Sequence, residues 1–282
     1  MKLCAFADEA SPRLEGQIEA LRRNGISLLE IRGVDGDNVK DLTPARAKEI
    51  RRRLEDAGIS VWSVGSPMGK HSLGEDFTPH YDDFCRVTEL AHLLGAGRIR
   101  MFSFYPAAGM EPERAREEAY GRLRRFVEAT PEDVILCHEN EKGIVGEGAE
   151  ACLAIHREFP TIRGVFDPAN FVQCGVNTLA AWEMLETYVD YMHVKDALTD
   201  GSVVPAGCGD GNVAELIRRY RAKGGEVLTL EPHLTDFVGL SGLEVGGGEA
   251  HVGKKYSFAT NDEAFDAAVT ALKGILSEQN LL

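Results

Sequence analysis

Positive charge is scarce in this chain: 31 lysines and arginines stand against 45 aspartates and glutamates, a formal net charge of −14. Binding to nucleic acid or to an acidic membrane surface rests on Lys and Arg neutralising phosphates, so neither partner is expected. A small anionic substrate stays open, because it feels only the local field. Long apolar runs are missing too. No stretch approaches the roughly 20 residues that a membrane helix needs. The opening Met1-Lys-Leu-Cys-Ala-Phe-Ala-Asp-Glu9 meets acidic residues too early for a signal-peptide core. The cysteines (Cys4, Cys85, Cys137, Cys152, Cys174, Cys208) form no CxxC pair and no zinc-finger spacing. Several sit in apolar runs, which reads as buried free thiols in a reducing compartment and predicts a cytoplasmic protein. No GxGxxG follows the first strand-like segment, so the dinucleotide-binding signature is absent. Gly207-Cys-Gly-Asp-Gly211 lies on a later loop and reads as a flexible turn.

What is present is a repeated alternation of short apolar runs and amphipathic stretches. Leu3–Ala7, Ile26–Arg32, Ile59–Val64 and Arg98–Phe102 read as the first four strands, and the last four carry Glu139, Asp167, His193 and Glu231. Helix starts are marked by Ser11-Pro12, Thr43-Pro44, Thr78-Pro79 and Glu111-Pro112, and later by Thr178, Asn212 and Asn261. Eight strand–helix pairs follow one another with no break in composition. Such alternation implies a parallel sheet. Eight units over residues 1–282 fit one α/β domain, a single (β/α)8 TIM barrel, better than an open doubly wound sheet.

In a barrel of this kind the C-terminal strand ends face the active-site mouth. Val134-Ile-Leu-Cys-His-Glu139, Arg163-Gly-Val-Phe-Asp167, Tyr191-Met-His-Val-Lys-Asp196 and Glu226-Val-Leu-Thr-Leu-Glu231 each bring a metal-ligand type to that end. One such residue alone is more often a helix cap or a solvated loop group. Four on consecutive strands shift the reading to a shared divalent ion. Three carboxylates and one imidazole suit Mn2+, Mg2+ or Co2+, with Zn2+ also compatible.

His138-Glu-Asn-Glu-Lys-Gly143, Phe166-Asp-Pro-Ala-Asn170, Met192-His-Val-Lys-Asp196 and Leu230-Glu-Pro-His233 resemble the strand-end motifs of the xylose isomerase-like TIM-barrel superfamily. Within it the chain is similar to the sugar (phosphate) isomerase/epimerase branch. The resemblance spans essentially the whole chain and includes Phe6-Ala-Asp-Glu9, Glu30-Ile-Arg-Gly33 and Gly65-Ser-Pro67. It implies that Glu139, Asp167, His193 and Glu231 bind one divalent ion, Mn2+ first among the candidates, with Glu139 and Glu231 as the acid–base pair. The implied activity is isomerisation or epimerisation of a small sugar, ketose or cyclitol, phosphorylated or not, through an enediolate. In one respect the chain departs from the branch: epimerases there carry a histidine three residues after the metal aspartate, and this chain has Asn170.

Asn170, Lys195 and His233 are candidate substrate contacts, and Arg32 and Lys70 are candidates to hold a phosphate or carboxylate. Glu9, Glu30 and Glu141 reach the mouth without an assignable role, and His138 alternates away from Glu139, toward the helices. The glycine-rich stretch 239–258, with Lys254-Lys255, is long enough for a lid or an oligomer contact, which leaves a homo-oligomer open. Three further readings stand beside the isomerase. They are a lyase or dehydratase acting on a keto-sugar or 3-keto-glycoside, an apurinic-site endonuclease, and a sugar-binding module without catalysis. Asn170 and the net charge of −14 speak against the endonuclease.

Overall fold

The structure is a computed structural model that describes residues 1–237 and 256–282. The expected lid, 239–258 with Lys254 and Lys255, lies outside the described residues except for its last three. Eight strands form a closed parallel barrel: β1 (Lys2–Ala5), β2 (Leu28–Ile31), β3 (Ser60–Gly65), β4 (Arg98–Met101), β5 (Ile135–Glu139), β6 (Arg163–Phe166), β7 (Val189–Val194) and β8 (Val227–Leu230). Each pairs with its neighbours in sequence, and β1 closes the ring by pairing with both β2 and β8. The expected (β/α)8 barrel is therefore the observed architecture. Around it run α1 (Leu14–Arg23), α2 (Pro44–Asp56), α3 (Phe77–Leu94), α4 (Pro112–Ala129), α5 (Ala149–Glu158), α6 (Pro168–Gln173), α7 (Thr178–Leu185), α8 (Val213–Ala222) and α9 (Asn261–Glu278). None is long and apolar enough to cross a membrane.

The main apolar core lies between barrel and helices, where Leu21, Ile50, Leu90, Phe126, Trp182 and Leu272 are buried. A smaller cluster of Cys4, Cys137, Val165, Tyr191 and Val227 fills the barrel interior and forms a dry floor. Strand alternation sends the residues two and four positions further along to the mouth. The register sets their heights. Val165 is level with Glu139 and Thr229 with His193, so Asp167 projects one step higher than Glu139, and Glu231 one step higher than His193. At the end of β3, Gly65 gives the room in which the site is built. A Cβ there would come within 2.4 Å of the Phe6 ring and 3.3 Å of Arg100.

Thr43 and Glu111 stand at the helix starts expected of them, but four other caps differ. The α1 amide of Leu14 donates to Asp35 Oδ1 at 3.1 Å, whereas Ser11 accepts only from the Arg13 amide. Asp35 lies far away in sequence, so no local pattern reveals it. Asp76, Asn177 and Thr260 cap α3, α7 and α9 in place of Thr78, Thr178 and Asn261. Asn261 instead donates to the carbonyls of Glu9 and Asp236, tying α9 to the mouth. The one-and-a-half-turn helix α6 was not expected at all.

The glycine turn 207–211 is also more ordered than its composition implies. Buried Asp196 accepts from the amides of Gly207, Gly209 and Gly211 at 2.9, 3.0 and 2.9 Å. A Cβ at Gly209 would stand 2.4 Å from that carboxylate, so the glycines serve close approach and not flexibility. Asp196→Ala is expected to cost roughly 3 kcal/mol, the order of one or two charge-assisted hydrogen bonds. Urea denaturation reads this directly, and an unchanged midpoint would contradict the pinning role.

Candidate metal centre

Four side chains from four consecutive strands converge at the mouth. Glu139 ends β5, Asp167 follows β6, His193 lies in β7 and Glu231 follows β8; all are buried. One ligand atom from each lies within 4.8 Å of the other three, a set that can hold a metal ion. His193 Nδ1 is 2.9 Å from Glu139 Oε1 and 3.3 Å from Glu231 Oε2. Asp167 caps α6, its Oδ1 accepting from the Asn170 amide at 2.9 Å. The capping function of a strand-end aspartate thus uses one oxygen and leaves Oδ2 turned toward the cluster. Oδ2 has no hydrogen bond in good geometry; its ion-pair neighbour is Lys195 Nζ at 2.9 Å.

The cluster is dense in cations that sequence spacing did not connect to it. Lys195 Nζ also reaches Glu231 Oε2 at 3.2 Å. The second oxygen of each glutamate meets a buried arginine. Arg100 Nε lies 3.2 Å from Glu139 Oε2, and Arg32 Nη1 donates to Glu231 Oε1 at 3.1 Å. Both guanidinium groups pack against Phe6, at 4.4 Å for Arg32 and 5.4 Å for Arg100 from the ring centroid. Arg100 went unrecognised in the sequence, although Arg98-Ile-Arg100 alternates within β4 and so places both arginines inside the barrel.

Arg32, a candidate anion contact from its position after β2, is engaged with the protein's own carboxylates. It is buried, with Nε donating to Asp8 at 2.8 Å and Nη2 to Asp8 and Glu9 at 3.1 Å. Carboxylates take its whole fork, which is the stronger claim on a guanidinium that has left water. Lys70 pairs with Glu141 at 2.8 Å and stands over the Phe102 ring, also facing the mouth but already opposite a carboxylate. Asn170 Nδ2 donates to the Asn140 carbonyl at 2.8 Å and to Glu139 Oε1 at 3.4 Å, so this amide braces a ligand. His233 reaches the rim as expected. Its backbone adopts φ +47, its amide donates to Glu9 Oε2 at 2.7 Å, and its Nε2 lies 3.5 Å from Glu231 Oε1. Glu9, Glu231 and His233 form a second cluster of ligand types, but Arg32 already lies against both of its carboxylates. His138 points away, as alternation predicts, and bonds Ser103 Oγ at 3.0 Å.

Burial dominates the electrostatics and neighbours decide the sign. Burial alone would raise Glu231, yet Lys195, His233 and His193 hold its carboxyl well below the usual range. Burial opposes a charged His193, but Glu139, Glu30 and Glu231 outweigh it and push the imidazole well above its ordinary value. Asp167 goes the other way: burial, helped by Glu139 and Glu231 against Lys195, pushes it up to about 7. These shifts belong to a cluster with more carboxylates than cations, the condition in which an added dication is favoured.

A profile described as the xylose isomerase-like TIM barrel matches residues 18–245. No curated protein matches in sequence. Among solved structures, a D-allulose 3-epimerase from Methylomonas sp., in complex with D-allulose, has a TM-score of 0.73 at 14% identity, covering 98% of this chain and 96% of that one. A probable 3-DHS dehydratase, AsbF, from Bacillus anthracis has a TM-score of 0.72 at 14% identity, with 97% and 99% covered. The IOLI protein, solved with a zinc atom bound, has a TM-score of 0.70 at 17% identity, with 99% of each chain covered.

Proposed function

The chain belongs to the xylose isomerase-like TIM-barrel family, and we propose that it is a metal-dependent isomerase or epimerase of a small polyhydroxylated carbonyl compound. One observation carries this reading. Glu139, Asp167, His193 and Glu231 bring four ligand atoms within 4.8 Å at the buried mouth of the barrel. The donor set fits a divalent ion: three carboxylates and an imidazole, with Mn2+ the first candidate and Mg2+, Co2+ and Zn2+ compatible. A bound ion supplies Lewis-acid stabilisation of charge on a substrate carbonyl and its neighbouring hydroxyl.

The residues supply the rest. Glu139 and Glu231 come from β5 and β8 and flank His193 Nδ1, so a substrate at the mouth lies between two carboxylates. One accepts the proton from the carbon beside the carbonyl, and the other, recharged with a proton from water or a substrate hydroxyl, returns one to the enediolate. Glu231 meets the substrate ionised, the form that accepts a proton. Lys195 reaches two of the four donors and competes for them with a bound ion. Once released, its ammonium is within reach of a substrate oxygen.

A second reading uses the same site for elimination from a keto-sugar or 3-keto-glycoside. Asn170 speaks against a ketose 3-epimerase in particular, because an amide cannot carry a proton and this one is committed to Asn140 and Glu139. Incubating ketoses, inososes and keto-glycosides with the Mn2+-loaded protein in D2O separates the two by NMR. Deuterium beside a carbonyl, without a new alkene, is the expected result. An enone signal would establish the elimination instead, and no turnover across the panel would remove both.

Metal binding should depend on pH. The ion needs Asp167 ionised and His193 with a free nitrogen, whereas burial and neighbours hold protons on both. Entry of the ion therefore expels protons, and apparent affinity is expected to rise up to ~10-fold per pH unit for each proton released. Calorimetry between about pH 6 and 8, in buffers of different ionisation enthalpy, measures the release. A flat affinity with no proton release would contradict the charge assignment.

A further inference from the structure

Glu30 is a carboxylate inside the barrel with no solvent exposure and no part in the proton transfer. Alternation along β2 turns Glu30 inward with Arg32, but one level lower, beneath the metal cluster. A charged group there is costly unless each oxygen has a partner. Glu30 Oε1 accepts from Tyr191 Oη at 2.8 Å and from Ser63 Oγ at 3.3 Å. Tyr191 and Ser63 are themselves 3.2 Å apart. These two donors fix the carboxylate plane and leave Oε2 for one further donor. That donor is His193 Nε2, at 3.3 Å.

We propose that Glu30 is a positioning residue for His193: it accepts a hydrogen bond from Nε2–H and thereby presents Nδ1 to Glu139, Glu231 and a divalent ion. The inference rests on the metal reading above. The imidazole has one nitrogen on each side of this choice. Nε2 faces downward to Glu30, and Nδ1 faces upward, 2.9 Å from Glu139 Oε1 and 3.3 Å from Glu231 Oε2. Phe6 and Tyr191 hold the ring edge-to-face at 5.2 and 5.6 Å, so it cannot exchange the two nitrogens without displacing aromatic neighbours. A neutral imidazole carries one proton, and the hydrogen bond made by one nitrogen decides which nitrogen is left to ligate. Tyr191 and Ser63 act one step further out, by denying Glu30 any other orientation.

The test uses Zn2+ as a diamagnetic probe on the full chain. Calorimetry compares the parent with Glu30→Gln and Glu30→Leu, and 15N-histidine NMR reads the ligating nitrogen in the Zn2+-loaded parent. Glu30→Leu is expected to lose roughly 10- to 100-fold in Zn2+ affinity, the range for partners behind a metal histidine. Glu30→Gln, whose carbonyl still accepts from Nε2–H, should recover part of that loss. The NMR result needs no variant to fold: His193 should be metal-bound at Nδ1 and protonated at Nε2. Parental affinity in a cooperatively folded Glu30→Leu, or metal on Nε2, would overturn the inference and leave the metal reading intact. A parent that binds no Zn2+ would remove both.

Discussion

Glu231→Gln is expected to lower turnover on the identified substrate by on the order of 10³-fold or more while the barrel stays folded. Glutamine has the volume of glutamate but only one acceptor oxygen, and both oxygens of Glu231 are in use. Oε1 accepts from Arg32 at 3.1 Å, and Oε2 lies 3.2 Å from Lys195 Nζ and 3.3 Å from His193 Nδ1. If the amide carbonyl keeps Arg32, its NH2 faces an ammonium and an imidazole and can neither ligate an ion nor accept a proton. If it flips, Arg32 meets the NH2. Either way the base is gone and metal affinity falls with it. Arg32 retains Asp8 and Glu9, which is why the fold should survive. Parallel measurements of kcat, metal affinity and melting temperature check the three parts. A variant that keeps parental turnover would end the two-glutamate mechanism.

The largest expected effect on stability comes from the opposite member of that pair. Arg32→Met should destabilise the protein by about 3–5 kcal/mol, because it strands buried carboxylates without their counter-charge. Asp8, Glu9 and Glu231 all lean on this guanidinium, which is itself held between the rings of Phe6 and Phe237. For a chain of this size the loss corresponds to a fall in melting temperature on the order of 10 °C. The pH dependence has a definite sign. Burial pushes Glu9 from 4.5 up to about 8, even with Arg32 opposing the shift. An acid whose folded pKa lies above its unfolded value stabilises below the lower value, and loses that contribution as pH rises through the window. Without Arg32 the shift grows; up to about pH 8 folded Glu9 keeps its proton in both proteins, so Arg32→Met should fall further behind the parent as pH climbs from about 8 upward. Arg32→Lys should recover only part, since an ammonium cannot reproduce a fork that spans three carboxylates. Melting curves across that range read all of this, and a variant as stable as the parent at the upper end would contradict it.

The fold was legible because the evidence for it is periodic. Eight apolar runs alternate with helical patterns, and the last four strand ends each carry a ligand type, at positions 139, 167, 193 and 231. The quartet was legible for the same reason, since each member can be read from its own strand. What escaped was everything that depends on a partner distant in sequence. Asp35 caps α1 from 21 residues further along the chain, and Arg100 and Arg32 meet glutamates that belong to other strands. The partners of Arg32 could not be read from its own strand, because a strand-end arginine looks the same whether it faces a phosphate or a buried carboxylate. Asp196 is next to Lys195 in sequence, yet its partners are the amides of Gly207, Gly209 and Gly211. Local propensity finds elements and inward-facing positions; it does not find which inward charges neutralise one another.

The central claim is that Glu139, Asp167, His193 and Glu231 together hold one divalent ion. Titrating metal-free protein with Mn2+ and following free Mn2+ by electron paramagnetic resonance, for the parent and for Asp167→Asn, tests it most directly. One tight site per chain in the parent, lost in Asp167→Asn, is the predicted result. A parent without a tight site, or an Asp167→Asn protein that binds Mn2+ as the parent does, would contradict it.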